Sequence, residues 1–318
     1  MIDEQGTYLA ASLEKRRQKL GLVCPSCRSP QLIASGEGYD CLGCGMRFPL
    51  VGGYPDMIVG ERFDDASDAA LLRYEEQSNE DLTRNYWQPL FRRLWAGQQR
   101  EPRLLSVGCG TGVDVDLLRQ DGFDSVGIDC GNRTSVWPRR AHADCLLLAN
   151  GKRLPFDDNS FDCAFCGCVF PHVGVVGDSN VCAADVEEQR LELAREMVRV
   201  LKPGGYVIVS SPNRRFPFDI FHGRTPGTYK PRYNPPSSRF LLSVADYERL
   251  FRAAGTGEAT ALPVENYWGF IRSRHSIKGM VFGTPVRFIF WLVSRPAFGS
   301  LRDSPANPWL VVMMQKSG

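Results

Sequence analysis

Three glycines at alternate positions follow an apolar run in Leu104-Leu105-Ser106-Val107-Gly108-Cys109-Gly110-Thr111-Gly112. Glycine lets a backbone turn sharply and approach a ligand with no Cβ in the way. Val113, Leu117 and Leu118 then fall at helical spacing, so the turn opens onto a helix N-terminus. Free N–H groups and a positive dipole end there suit a carboxylate or a phosphate. Such a turn by itself fits several nucleotide-binding folds. The next apolar run, Val126-Gly127-Ile128, closes on Asp129, 17 residues after Gly112. An acidic side chain at that place can accept hydrogen bonds from ribose hydroxyls.

A second chemistry is written in cysteine. Four of the 11 cysteines form Cys24-Pro25-Ser26-Cys27 and Cys41-Leu42-Gly43-Cys44, with 13 residues between the pairs. Each pair can present two thiolates to one ion, and two pairs close a tetrahedral zinc site. Four sulfur ligands leave no open position, so the zinc expected here is structural. Gly36 and Gly38 supply the hairpin between the pairs. A unit this small should fold only with its metal. The other cysteines sit mostly in apolar runs and read as buried thiols.

The elements that must carry these residues follow from periodicity. Residues 1–60 read as a helix and a metal-stapled ribbon, and residues 61–100 as a helical lead-in with Pro89 at a helix start or kink. Residues 101–318 then alternate short strands with helices, the pattern of a parallel sheet. The strands are Leu104–Val107, Ser125–Ile128, Cys145–Ala149, Cys163–Cys166 and Tyr206–Ser210, with Thr260–Val264 and Trp309–Met314 near the end. Helices are expected over Val186–Leu201, stopped by Lys202-Pro203-Gly204-Gly205, and over Val244–Ala254. Residues 212–242 and 265–305 have weak periodicity and read as insertions on the ligand side.

Four segments in register resemble the class I S-adenosylmethionine-dependent methyltransferases, in particular the ubiquinone and menaquinone methyltransferase branch. They are Val107–Gly112, Gly127–Asp129, Leu154-Pro155-Phe156-Asp157-Asp158-Asn159-Ser160-Phe161-Asp162, and Val200–Gly205. The resemblance spans about residues 100–212 and implies an α/β doubly wound, seven-stranded sheet whose last strand is antiparallel. It implies S-adenosylmethionine as cofactor, with Gly108, Cys109, Gly110 and Gly112 under the methionine part and Asp129 on the ribose. Asn150 stands where the family carries an adenine-contacting Asp, followed by Gly151; Cys166 ends the fourth strand beside the cofactor. His172, in Val169-Phe170-Pro171-His172-Val173, matches a family His near the methyl-transfer site. The segment Cys44–Met57 also resembles the small zinc-ribbon activators of methyltransferases, here fused in cis.

The acceptor is less constrained. Residues after the fifth strand offer His222 as a general base, and Asn213, Arg214, Arg215 and Arg224 as an acceptor clamp. Transfer from a sulfonium needs alignment and exclusion of water more than a particular base. The reading favoured is O-methylation of a small-molecule, lipid-linked or saccharide acceptor. RNA methylation with the ribbon as an RNA-docking module is the alternative, and a non-catalytic cofactor-binding scaffold is a third. Net charge is +2, which argues against a dedicated nucleic-acid binder. That balance is uneven: residues 61–211 carry 17 basic and 24 acidic side chains, residues 212–318 carry 15 and six. A basic last third next to Val286–Arg295, an apolar run too short to span a bilayer, leaves peripheral membrane contact open. The polar first 20 residues and the cysteine pattern point to a cytoplasmic protein.

Overall fold

Short runs rich in Val, Leu and Ile separated by Gly and Asp make strands wherever both faces are to be buried. The computed structural model describes residues 4–62, 69–177, 179–220, 232–267 and 277–318. In the ribbon, strands β1 (Leu32–Ser35), β2 (Gly38–Cys41), β3 (Arg47–Val51) and β4 (Tyr54–Met57) follow helix α1 (Glu4–Leu20). The central strands are β5 (Arg103–Val107), β6 (Asp124–Asp129), β7 (Leu146–Ala149), β8 (Phe161–Gly167) and β9 (Leu201–Pro212). A two-residue hairpin pair, β10 (Phe218–Asp219) and β11 (Arg232–Tyr233), precedes β12 (Thr260–Ala261) and β13 (Trp309–Gln315). Helices α2 (Ala69–Leu82), α3 (Gln88–Leu94), α4 (Val113–Gln120), α5 (Val186–Val200), α6 (Val244–Ala254) and α7 (Ile277–Ser294) cover the sheet or its ends.

The sheet order β7-β6-β5-β8-β9-β13-β12 is the expected seven strands, with β13 antiparallel to β9. Chain order reverses between β5 and β8, and ligands bind such sheets in the crevice at that switch, beyond the strand C-termini. Alternate strand residues feed two cores. Leu105, Ala164 and Cys166 face the core shared with α5 and α6. Leu104, Cys163 and Phe165 face the aromatic core under α3 and α7.

The expected break near residue 60 does not interrupt the sheet. Strand β4 runs parallel to β7, pairing Asp56 with Leu148 and Met57 with Ala149, so one 11-stranded sheet includes the ribbon. Without β4, β7 would be an edge strand with open backbone groups. Helix α1 ties the same seam. Tyr39 donates its hydroxyl to the Leu13 carbonyl at 2.7 Å, and Arg16 donates to the carbonyls of Leu146 and Ala143.

One local expectation shifts, and the placing of Pro89 at a helix start holds. Strand β9 begins at Leu201, because Phe161 pairs with Leu201 and Cys163 with Tyr206, leaving Lys202–Gly205 to bulge opposite Asp162. The bulge is held by Lys202 Nζ on Asp162 at 3.0 Å. Between α2 and α3 lies a π-turn, Thr83–Trp87, and Pro89 sits at the start of α3. Wide turns of this kind absorb an extra residue within a helix.

Candidate active site

The three glycines of the turn all have left-handed φ: +74° at Gly108, +53° at Gly110 and +73° at Gly112. Packing demands two of them as much as any ligand does. A Cβ on Gly112 would lie 2.6 Å from Leu146, and one on Gly108 would lie 2.6 Å from Val169. Above Gly110 there is room, the nearest atom being the Asn79 amide nitrogen at 3.7 Å. Asp129, at the end of β6, accepts from the Gly110 N–H at 2.8 Å and from the Gly131 N–H at 2.7 Å. A carboxylate has about four lone-pair sites, so it keeps capacity for hydroxyl donors. Trp137 donates its indole N–H to the Gly110 carbonyl at 2.9 Å from the other side.

Below the turn, Ser106 donates to Asp114 Oδ2 at 2.5 Å. Burial chiefly, with the Asp129 charge adding to it, pushes the Asp114 carboxyl up to about 6 against the bonds it accepts. Its Oδ1 and the Thr111 hydroxyl are buried with no partner among the described residues. A cradle of Cβ-free residues, an acidic pair and two orphaned polar atoms together suit a cationic, hydroxyl-rich ligand. The residues present therefore fit S-adenosylmethionine. Helix α2 is clamped over the same rim: Glu75 meets Arg133 at 3.0 Å, Glu76 meets Arg140, and Arg140 also donates to the Thr111 carbonyl at 2.9 Å.

At the expected adenine end, Asn150 is buried. Its oxygen accepts from the Lys152 N–H at 2.9 Å and its amide reaches the Glu61 carbonyl at 3.3 Å. Gly151 is required by packing, since a Cβ there would lie 2.8 Å from Leu193 of α5. Cys109 and Cys166 point their thiols into the core, where burial pushes both up. Burial of the Cys166 thiol leaves its backbone as the part of that residue available at the end of β8.

Where an acceptor is expected, beyond the ends of β8 and β9, the described residues offer hydroxyls and rings. Ser210, near the end of β9, bonds the Tyr267 hydroxyl, and Ser211 accepts from the Tyr247 hydroxyl at 2.8 Å. Burial raises both phenols above their ordinary range, so they stay protonated. His172 lies on a short turn after β8, edge-on to Phe240 with centroids 5.7 Å apart. Arg190 of α5 is fully buried and donates to four carbonyls, those of Phe170, Pro171, Arg239 and Phe240. It thereby locks the His172 turn to the Phe240 segment.

The expected acceptor clamp comes out differently. Asn213 gives both amide hydrogens to the Ser304 and Asn307 carbonyls, and its oxygen accepts from the Arg215 N–H. Arg214 pairs with Asp246 at 3.2 Å and Arg215 with Asp303 at 3.4 Å. All three brace the loop to neighbouring elements, because the basic segment lies beside the capping acid of α6 and the turn before β13. His222 and Arg224 lie outside the described residues. The hairpin base that leads to them is held by a buried pair, Asp219 with Arg232 at 2.8 Å.

The four ribbon cysteines converge. Their sulfurs all lie within 4.8 Å of one another, with Cys24 to Cys44 at 3.7 Å and Cys27 to Cys41 at 3.6 Å. Four sulfurs about 2.3 Å from one tetrahedral ion stand about 3.8 Å apart. The two knuckles repeat one turn: Arg28 N–H returns to the Cys24 carbonyl and Gly45 N–H to the Cys41 carbonyl, both with left-handed φ.

Sequence reasoning passed over Trp137, Asp114, Arg190 and the Glu75–Arg133 and Glu76–Arg140 clamps. None has a motif, and each acts through a contact made only when distant segments meet. Ser106 beside Asp114 carried the one local hint, an acidic residue in the first turn after the glycines.

Residues 105–209 match the family model described as a methyltransferase domain. An uncharacterized methyltransferase of Mycobacterium tuberculosis is 29% identical over 191 residues, covering 53% of this chain and 69% of that protein. A probable S-adenosylmethionine-dependent methyltransferase of Mycolicibacterium smegmatis is 27% identical over 218 residues, covering 62% and 76%. Among solved structures, phosphoethanolamine N-methyltransferase 2 of Haemonchus contortus in complex with S-adenosyl-L-methionine is 16% identical with a TM-score of 0.45, covering 79% of this chain and 58% of that one. With a glycine turn, a facing Asp and a seven-stranded sheet of this order in the matched segment, the chain carries a class I methyltransferase domain and is an S-adenosylmethionine-dependent methyltransferase.

Proposed function

We propose that the enzyme methylates a hydroxyl of a neutral small-molecule or lipid-linked acceptor, bound between the glycine turn and the Ser210–Tyr267 and His172–Phe240 contacts. One observation carries this reading. The arginines that sequence offered for anion binding and that the structure describes, Arg214 and Arg215, are committed to Asp246 and Asp303. Among the described residues, what remains on that side is aromatic and hydroxylic, which suits an apolar body with a hydroxyl.

Bound S-adenosylmethionine supplies a methyl group on a sulfonium, an excellent leaving group. The chain's residues align and enclose. Gly108, Gly110 and Gly112 admit the cofactor backbone-close, Asp129 takes the ribose hydroxyls, and Asn150 with Gly151 borders the adenine. Helix α2, clamped by Glu75 and Glu76, covers the rim and excludes water. His172, on the short turn after β8 and edge-on to Phe240, is the base in this reading for an acceptor hydroxyl. Imidazole is the side chain best suited to taking a proton at neutral pH. The ribbon holds a structural zinc at Cys24, Cys27, Cys41 and Cys44 and secures β4 against β7.

The test uses methyl-labelled S-adenosylmethionine with the purified full chain, and offers it lipid extract, a polar metabolite pool and total RNA. Label in the organic or small-molecule fraction, reduced at least tenfold by His172→Gln, is expected. Label in RNA would replace this reading. Failure to bind S-adenosylmethionine in a calorimetric titration would remove the catalytic reading altogether.

A further inference from the structure

Helix α7 is apolar on nearly every side: of its 18 residues only Lys278, Thr284, Arg287 and Ser294 are polar. A helix apolar all round belongs in a core or in lipid, not at a water surface. Its inner side is covered, with Phe290 and Val293 buried against Val264, Tyr267 and Trp309. Its outer side is open, with Val281 62%, Phe288 59% and Trp291 45% exposed. Steps of seven and three residues place these three in one sector of a helix with about 3.6 residues per turn. Phe288 and Trp291 stack on each other, centroids 5.8 Å apart.

Charge indicates what covers that side. From Ile277 to Arg302 the chain carries Lys278, Arg287, Arg295 and Arg302 and no acidic residue. Arg287 is exposed beside Phe288, while Arg295, whose guanidinium lies over the Trp291 ring 5.1 Å from its centre, is paired with Glu265. Exposed aromatic rings beside a basic residue suit a headgroup layer, where such rings settle at the interface and cations meet lipid phosphate. A two-fold contact between copies would set the exposed Arg287 against itself, and Glu265 is already paired with Arg295. No helix among the described residues is long and apolar enough to cross a membrane, so the geometry is that of lying on one.

We propose that the outer face of α7 docks the enzyme on an anionic phospholipid surface. Phe288 and Trp291 enter the headgroup boundary while Arg287 meets lipid phosphates. The inner side of the same helix packs on Tyr267, whose hydroxyl reaches Ser210. Docking there sets the acceptor side about one helix diameter, roughly 10 Å, from the lipid. The proposal stands on α7 alone and does not depend on which acceptor is methylated.

Co-sedimentation of the full chain with phosphatidylcholine vesicles, with and without phosphatidylserine, tests it. Binding is expected only with phosphatidylserine and should weaken with added salt. Phe288→Glu with Trp291→Glu should lower the partition at least tenfold, and the milder Arg287→Gln about fivefold, as expected for one basic residue at such a surface. Both variants should keep the wild-type melting midpoint and S-adenosylmethionine affinity. Equal binding to both vesicle types, or to neither, overturns the proposal. So does a vesicle-free dimer, seen by sedimentation velocity, that Phe288→Glu converts to monomer.

Discussion

Alanine at Gly112 separates the structural from the ligand-binding demand on the glycine turn. Gly112 has φ +73° and ψ +13°, a conformation that costs a residue with a Cβ about 1–2 kcal/mol. The added Cβ would also lie 2.6 and 2.9 Å from the two methyl carbons of Leu146. Leu146 is fully buried and its carbonyl is held by Arg16, so it has little freedom to retreat. Overpacking of this kind costs about 1–3 kcal/mol, for a total near 2–5 kcal/mol. Gly110 is left-handed too, but its Cβ would meet nothing closer than 3.7 Å. Gly110→Ala should therefore lose only about 1–2 kcal/mol of stability while intruding on the space left for the cofactor. Urea unfolding and calorimetric titration with S-adenosylmethionine read the two effects. Gly112→Ala should be the less stable variant, and Gly110→Ala should lose cofactor affinity at least tenfold at smaller cost to the fold. Leu146→Ala in the Gly112→Ala background should recover part of the loss as a favourable coupling. A Gly112→Ala protein within about 0.5 kcal/mol of wild type, or a reversed ranking of the two variants, would refute the argument.

Metal analysis of the purified chain should find one zinc per molecule, and stripping it should lower the melting midpoint. Cys24 and Cys41 share a core with Tyr39, Phe48 and Leu147, so losing an ion held there would loosen the seam between β4 and β7. An unchanged midpoint after complete removal would contradict a structural zinc. For Asp114 the sign follows from a carboxyl raised from its ordinary 3.8 to about 6, mainly by burial. Between those values the folded state holds more protons than the unfolded one, so stability falls as pH rises through that window, by about 3 kcal/mol at most. Asp114→Asn should flatten that part of the melting-temperature profile and stabilise the protein above pH 6, while weakening cofactor binding. A variant profile parallel to wild type from pH 4 to 6 would show that Asp114 ionises freely.

Much of the domain was legible because its signals are local. Apolar runs ending in glycine or Asp lie on the chain as they lie in the sheet, so β5, β6, β8 and Asp129 fall where periodicity puts them. The two cysteine pairs likewise encode their own turns, and the sulfurs meet as their spacing implies. Val186–Leu201 was legible as a helix from its amphipathic period and its Lys-Pro-Gly-Gly stop. The acceptor clamp was not. Arg214 and Arg215 look the same in sequence whether they meet a ligand or an acid 32 or 88 residues away, and the meeting with Asp246 and Asp303 depends on how β9, α6 and the last turn pack.

By itself the sequence determined the glycine turn, its facing Asp129, the cysteine cluster and the class of sheet, because each rests on backbone preferences and spacings within a few residues. Only the tertiary structure decided that the ribbon's last strand continues the catalytic sheet. Hydrogen bonding between β4 and β7 joins residues some 90 positions apart, and either strand is equally content with another partner of the right register. Tertiary packing also decided which side of α7 is covered. A helix apolar all round carries no periodicity to orient it, so its exposed Phe288 and Trp291 became visible only once Phe290 and Val293 had met the core.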